Sequence, residues 1–262
     1  MLVKAKKSLG QNFLNDKNTI KKIIDLDEID SKEILEIGPG TGNLTYEIIK
    51  KKPKRMIVIE KDNNLVNLLE EKFSGQIEIF NEDVLRINEN KISKNKLIVF
   101  GNLPYNISTK ILTKWILGLN EEFWFEKMFL MFQKEVADRI ISEYNSALYG
   151  RLTIIANWKL KIEKKFDIRP DCFSPKPKIE SSMLAFYPRK NFFKLSSAKN
   201  LEKVTRIFFN ERRKMVKKPY KFIFGNNNSI AEELNLNLDL RPQNLKPEIY
   251  YKLTKIYEEL GD

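Results

Sequence analysis

Between Ile34 and Phe132, short apolar runs alternate with longer amphipathic ones, and no other feature of the chain restricts its fold as sharply. Five runs have the length and the β-branched or aromatic content of strands: Ile34–Gly38, Met56–Glu60, Ile77–Phe80, Leu97–Gly101 and Lys127–Phe132. The stretches Asn43–Lys51, Asn63–Phe73 and Thr109–Leu119 space their apolar residues as helices do. Strand, helix and strand in series close as a parallel pair covered by the helix, so the alternation predicts a doubly wound, Rossmann-like α/β sheet. Two further strands are expected at Lys159–Ile168 and Ser182–Tyr187, separated by the Pro-rich loop Pro170–Pro177, with a helix at Leu152–Trp158. Beyond Pro188 the pattern is helical only, most clearly at Ala198–Phe209 and Pro247–Leu260. A boundary near 188 therefore separates a sheet domain, 1–188 with an N-terminal arm 1–16, from a small all-helical domain, 189–262.

Composition bears on partners and chemistry. With 262 residues, 42 % of them hydrophobic, the chain can bury a sizeable core. It carries 47 Lys plus Arg against 35 Asp plus Glu, a net +12, which makes a polyanion the leading partner. Residues 189–262 hold 16 basic and 9 acidic side chains, more than their share of the excess. Part of this charge reflects a chain rich in Lys, Ile and Asn throughout. The single cysteine, Cys172, excludes an internal disulfide and reads as a small buried residue. The absence of histidine removes Ser-His-Asp, Cys-His and His-metal chemistry together, and no acidic cluster calls for a metal. Met1–Gly10 is basic without the apolar core of a secretory signal, and no run approaches the roughly 18 apolar residues of a membrane span. A monomeric cytoplasmic protein with no membrane partner is expected.

Glu36-Ile37-Gly38-Pro39-Gly40-Thr41-Gly42 follows the first of these strands and opens a helix. Glycines there let the backbone turn tightly and approach a ligand. Glu60 ends the next strand, about 20 residues on, where a carboxylate can accept from both hydroxyls of a ribose. Asp83 follows the third strand, placed to accept from an adenine amino group. Such residues fit any adenosine cofactor, nicotinamide dinucleotide and S-adenosylmethionine alike. The third glycine comes one residue earlier than in G-x-G-x-x-G, which favours a ligand with a carboxylate and an amine at the turn over a pyrophosphate.

Gly101-Asn102-Leu103-Pro104-Tyr105-Asn106-Ile107-Ser108 follows the fourth strand. The exocyclic amine of adenine has its lone pair delocalised into the ring, and must become more tetrahedral to attack a methyl group. The side-chain oxygen of Asn102 and the backbone carbonyl of Leu103 or Pro104 can hold its hydrogens. Pro104 offers no N–H to compete, and Tyr105 offers a flat face for the base. No strong base is needed, because the proton leaves after attack. In-line placement carries the reaction, and a chain without histidine can provide that.

Five segments in order, Lys7–Leu14, Glu36–Gly42, Asn102–Ser108, Phe173–Ser181 and Asn210–Lys214, resemble the ribosomal RNA adenine N6,N6-dimethyltransferases. The resemblance runs from Lys7 to about Asn244 and is nearest to the branch that acts on small-subunit rRNA. It implies a class I S-adenosylmethionine-dependent methyltransferase fold, a seven-stranded mostly parallel sheet with its last strand antiparallel, plus a small helical C-terminal domain, 189–262, that docks rRNA. It implies dimethylation of N6 on two adjacent adenines in the 3′-terminal hairpin loop of small-subunit rRNA, in a small ribosomal subunit precursor. Asn12 and Leu14 would close over the cofactor, Gly38 and Gly40 contact its methionine part, Glu60 its ribose and Asp83 its adenine. Asn102 would lie between cofactor and amine, and Phe173 would stack the target base against Tyr105. Lys4, Lys6, Lys7, Arg212, Arg213 and Lys214 are candidates to hold phosphates. Lys217-Lys218-Pro219-Tyr220 departs from the family's polar helix continuation, and Pro219 predicts an early helix end. Three alternatives remain: an Erm-type enzyme methylating large-subunit rRNA and conferring macrolide resistance, an RNA-binding assembly factor without required catalysis, and a nicotinamide dehydrogenase. Leu103 and the Phe173–Lys178 loop favour the small-subunit branch over the first. The intact Asn102–Tyr105 segment disfavours the other two.

Overall fold

The computed structural model describes residues 5–6, 9–119 and 121–261. In chain order the elements are β1 (Phe13–Leu14), α1 (Lys17–Ile24), β2 (Glu33–Ile37), α2 (Asn43–Lys50), β3 (Arg55–Ile59), α3 (Asn63–Phe73), β4 (Glu78–Phe80), β5 (Leu97–Asn102), α4 (Ser108–Gly118), β6 (Phe125–Gln133), α5 (Lys134–Ile140), α6 (Arg151–Lys159), β7 (Leu160–Ile168), β8 (Phe173–Ser174), β9 (Ser181–Pro188), α7 (Ala198–Phe209), α8 (Lys217–Phe224), α9 (Ser229–Glu233) and α10 (Pro247–Glu259). All seven strands expected from the sequence form, and they make one sheet in the order β4-β3-β2-β5-β6-β9-β7. The pairs from β4 through to β6 are parallel, and β9 runs antiparallel to β6. All five residues of β2 are buried, as a central strand covered on both faces requires.

This order has one consequence for function. From β2 the chain steps outward to β3 and β4, then returns to place β5 on the other side of β2. The connections leaving β2 and β5 therefore diverge, opening a crevice at the carboxyl ends of those strands. Local chemistry starts the helices that border it. Asp16 caps α1 by accepting from the Thr19 N–H at 2.7 Å, and Asp62 caps α3 by accepting from the Asn64 N–H at 3.1 Å. A short second sheet pairs β1 with β8, Phe13 opposite Ser174 and Leu14 opposite Phe173, so the Pro-rich loop ties down the N-terminal arm. Cys172 is buried, with its sulfur 3.4 Å from the Thr19 hydroxyl.

The chain divides into two compact units. One comprises Met1–Lys114, Leu119–Ala137 and Ile162–Pro188; the other comprises Trp115–Gly118, Asp138–Lys161 and Arg189–Asp262. One of the crossings between them lies between Pro188 and Arg189. The second unit also takes in the whole of α6. Its core joins Ile154 and Trp158 of α6 to Leu201, Val204 and Phe208 of α7, Tyr220 of α8 and Tyr250 of α10.

Two expectations about this unit are corrected. Pro219 does not end a helix but helps to begin one. α7 stops at Phe209, a turn follows, and Pro219 is the third residue of α8. A proline in the first turn removes an N–H that has no intrahelical partner anyway. Arg212 is not an open phosphate ligand. Its guanidinium donates to the Ala147 carbonyl at 2.5 Å, the Tyr149 carbonyl at 2.7 Å and the Gln243 side chain at 3.2 Å. It thus satisfies backbone groups of the segment before α6. Arg212→Ala is predicted to cost about 1–3 kcal/mol of stability through the stranded carbonyls, read as a lower midpoint in urea unfolding.

Candidate active site

The crevice is a cavity lined by the arm from Leu9 to Leu14, the turn from Glu36 to Leu44, the ends of β3 and β4, and the segment from Asn102 to Ile107. Asn12, Leu14, Gly38, Gly40, Glu60, Asp83, Asn102, Leu103, Pro104 and Tyr105 all line it. These ten residues, from the arm, strand ends and turns far apart in the chain, meet at one place because parallel strands end on the same side. Gly38 and Gly40 have φ of +66° and +58°. A β-carbon on Gly40 would stand 2.7 Å from the Phe13 ring, so this glycine lets the arm lie directly against the turn.

The acidic wall is more buried than strand-end carboxylates usually are. Glu36 is 2 % exposed and accepts from the Thr45 hydroxyl at 2.6 Å. Burial, opposed by that bond and reinforced by Glu60, pushes its carboxyl up to about 8. Glu60 is also raised by burial, while the N–H groups of Asp62, Lys61 and Gly40 pull it back. Asp83 is lowered, first by the Lys61 ammonium at 2.8 Å, and its other oxygen accepts from the Leu85 N–H at 3.0 Å. The carboxylates fit an adenosine carrying cationic groups. Among the described residues no group of three or more His, Cys, Asp or Glu converges as a metal site.

The opposite wall is the Asn102–Tyr105 segment. The Asn102 amide NH₂ donates to the Asn12 carbonyl at 2.8 Å, which leaves its side-chain oxygen as an acceptor. The Pro104 carbonyl already receives two N–H groups, Ile107 at 3.0 Å and Ser108 at 2.9 Å, which start α4. Of the two backbone acceptors the sequence left open, the Leu103 carbonyl is therefore the one available. Tyr105 is half-buried and its hydroxyl lies 2.5 Å from the Ser181 hydroxyl, which fixes the plane of the ring. Burial raises this phenol, so it stays neutral at physiological pH.

The arm is held over the cavity by contacts that sequence reading did not find. Asp62, with its side chain 1 % exposed, accepts from Lys6 Nζ at 2.6 Å and from the Gln11 amide at 3.0 Å. Burial alone would raise the Asp62 carboxyl; Lys6 and Gln11 overcome this and hold it low. Asn43 donates to the Leu14 carbonyl at 2.9 Å. The visible signal for Asp62 was its position as a helix cap two residues after Glu60, and for Ser181 its place at the end of the Phe173–Ser181 segment. Lys6 is thus a latch on the arm, not an open phosphate ligand. Lys4 and Lys7 lie outside the described residues. Phe173, itself in β8 and paired with Leu14, is 4 % exposed, belongs to the core and is not among the residues that line the cavity. Arg213 and Lys214 are exposed, the latter 3.4 Å from Glu211.

Together the fold and this cavity define a class of nucleic-acid methyltransferase, and comparison with known proteins places the chain within it. A family model described as ribosomal RNA adenine dimethylase matches residues 2–259, and the chain belongs to that family. It is 59 % identical over 260 residues to ribosomal RNA small subunit methyltransferase A of Pelagibacter ubique (strain HTCC1062), with 99 % of each chain covered. The crystal structure of a dimethyladenosine transferase from Plasmodium falciparum matches with a TM-score of 0.82 and 25 % identity, over 95 % of this chain and 98 % of that one. The 23S rRNA methyltransferase ErmE shares the fold, with a TM-score of 0.70 and 22 % identity over 94 % of this chain and 100 % of that one.

Two predictions follow from the geometry. Lys6→Ala should raise the Kd for S-adenosylmethionine about 2- to 5-fold, the size of one half-exposed ion pair, as measured by calorimetry. The second concerns Glu36, which releases its proton near 4.5 when unfolded but near 8 in the fold. Stability of the ligand-free protein should fall as pH rises from 4.5 toward 8, by at most about 1.4 kcal/mol per pH unit from this group. Thermal unfolding of Glu36→Gln across that range should show the slope removed.

Proposed function

We propose that this protein is an S-adenosylmethionine-dependent enzyme that dimethylates N6 of two adjacent adenines in the 3′-terminal hairpin loop of small-subunit rRNA. It acts as a cytoplasmic monomer on a precursor of the small ribosomal subunit. The observation that carries this reading is the paired acceptors at the end of β5, the Asn102 oxygen and the Leu103 carbonyl, beside a ring face on Tyr105. That arrangement suits a planar base bearing an NH₂ group and does not suit a hydride acceptor. The relative named for small-subunit rRNA, at 59 % identity, supports that substrate over a large-subunit one.

When bound, S-adenosylmethionine supplies an electrophilic methyl group on a sulfonium. Glu60 and Asp83 would hold the ribose and adenine of that cofactor, and the Gly38–Gly40 turn its methionine end. Asn102 and Leu103 accept the two amine hydrogens of the target adenine and aim the N6 lone pair. Withdrawing the hydrogens toward these acceptors favours the tetrahedral nitrogen that attack requires. Tyr105 keeps the base in one plane by stacking, and Ser181 holds Tyr105. Held by Glu60, Asp83 and the Gly38–Gly40 turn, the cofactor would supply its methyl group to the N6 lone pair aimed by Asn102 and Leu103, and the proton that N6 then sheds would pass to water. In the second round a single hydrogen remains on N6, and one of the two acceptors suffices to hold it. The target base must first leave its stack, which costs roughly a few kcal/mol and less in a loop.

The test is transfer of labelled methyl from S-adenosylmethionine to under-methylated small subunits. The wild type should incorporate up to four methyl groups per subunit, and Asn102→Ala should lower kcat about 10²- to 10³-fold, as loss of a preorganised polar contact to the reacting group does. Equal labelling by both proteins would remove the assignment.

A further inference from the structure

Among the described residues, Lys61 is the only Lys or Arg on the wall of the cavity. Its sign is wrong for that place, because the acids around it suit a ligand with positive groups and a free ammonium would oppose one. Its ion pair does not account for it either: the side chain is 58 % exposed, and exposed pairs add little to folding. The ammonium is committed to Asp83. It donates to one carboxylate oxygen, Oδ2, at 2.8 Å, while the Leu85 N–H donates to the other, Oδ1, at 3.0 Å. These donors come from two different strand ends, Lys61 after β3 and Leu85 after β4. The ends are joined by the Glu60 N–H on the Phe80 carbonyl and the Asn81 amide on the Glu60 carbonyl, both at 3.1 Å. Lys114 of α4 fixes the loop beyond, donating to the Val84 carbonyl at 2.8 Å and the Ile87 carbonyl at 2.5 Å.

A carboxylate held through one oxygen can turn about its Cβ–Cγ bond; one held through both cannot turn without losing a hydrogen bond. Each Asp83 oxygen keeps a further acceptor direction, and neither carries a hydrogen to give. Fixed in this way, Asp83 accepts from a purine that bears an amino group. It opposes a purine with a carbonyl at the same position, where acceptor would face acceptor. We propose that Lys61 is a positioning residue that sets Asp83 to read the 6-amino group of the cofactor's purine, so that the site takes an adenosine ligand over an inosine one. Without the ammonium, Asp83 would still be ionised at neutral pH but free to turn away, so the loss falls on purine selectivity. This rests on the reading that S-adenosylmethionine is the cofactor, with its adenine on Asp83.

Four full-length proteins test it: wild type, Lys61→Met, Asp83→Ala and the double variant. Methionine keeps an unbranched stem and removes the ammonium. Calorimetry measures the Kd of each protein for S-adenosylhomocysteine and for S-inosylhomocysteine, which differ only in carrying a 6-amino or a 6-oxo purine. The wild type should prefer the adenosine compound. Asp83→Ala should weaken that compound about 10- to 150-fold, the range for a hydrogen bond to a charged group, and should not weaken the inosine compound. Lys61→Met should weaken the adenosine compound about 2- to 5-fold, leave the inosine compound unchanged, and add nothing once Asp83 is gone. Equal weakening of both compounds by Lys61→Met would reduce the pair to a structural contact and overturn the proposal. So would an unaltered preference, or the same loss with Asp83 already removed, which would put the ammonium on the ligand itself. A wild type that binds neither compound would defeat the cofactor reading. One that binds both alike would leave that reading standing and remove Asp83 and Lys61 as readers of the purine.

Discussion

Everything at the active site depends on the reversal of strand order at β2. Because β3 and β5 lie on opposite sides of that strand, the turn after β2 and the segment after β5 part company and leave a gap between them. The turn supplies glycines and a buried acid, and the β5 segment supplies an amide, a carbonyl and a ring. Neither half is a site alone. The sheet sets their spacing, and its central strands are buried throughout, so the two walls are carried by the most rigid part of the fold.

The arm completes the enclosure and links its parts. The Asn12 carbonyl takes the hydrogen of Asn102 and so decides which end of that side chain is left to accept. Leu14 is tied to Asn43 on one side and lies in register with Phe173 on the other. Lys6 and Gln11 fasten the start of the arm to Asp62, two residues from the acid proposed for the ribose. The seating of the arm and the orientation of the Asn102 amide are thereby coupled. The acidic wall beneath it, Glu36 with Glu60 and Asp83, stands out in a chain of net +12. Two of these carboxyls are raised by burial, a strain that a cationic ligand relieves and a neutral one does not.

Much of this was legible in the sequence, for identifiable reasons. Strand–helix periodicity and the positions of Glu60, Asp83 and Asn102 at strand ends are local properties, and parallel topology then brings strand ends together. α3 and α7 begin and end where apolar spacing predicts. What failed to show depends on contacts between distant segments. Arg212 looked like an exposed cation until Ala147 and Tyr149 were seen to need its donors. Lys6 looked the same until Asp62 was placed beside it. Pro219 was misread because a proline that stops one helix and a proline that starts the next are alike in sequence; only the turn after Phe209 separates them. Phe173 was assigned from the family pattern, and its place beside β1 is set by a strand pairing of two residues that no periodicity reveals.

The most direct measurement is a crystal structure of the protein with S-adenosylhomocysteine and an adenine-bearing loop RNA. The account predicts the adenine on the Tyr105 ring, with N6 within about 3.2 Å of both the Asn102 side-chain oxygen and the Leu103 carbonyl. The sulfur should lie on the far side of N6, and the cofactor ribose on Glu60. Sulfur bound away from the Gly38–Gly40 turn, or an adenine whose N6 meets neither acceptor, would contradict it.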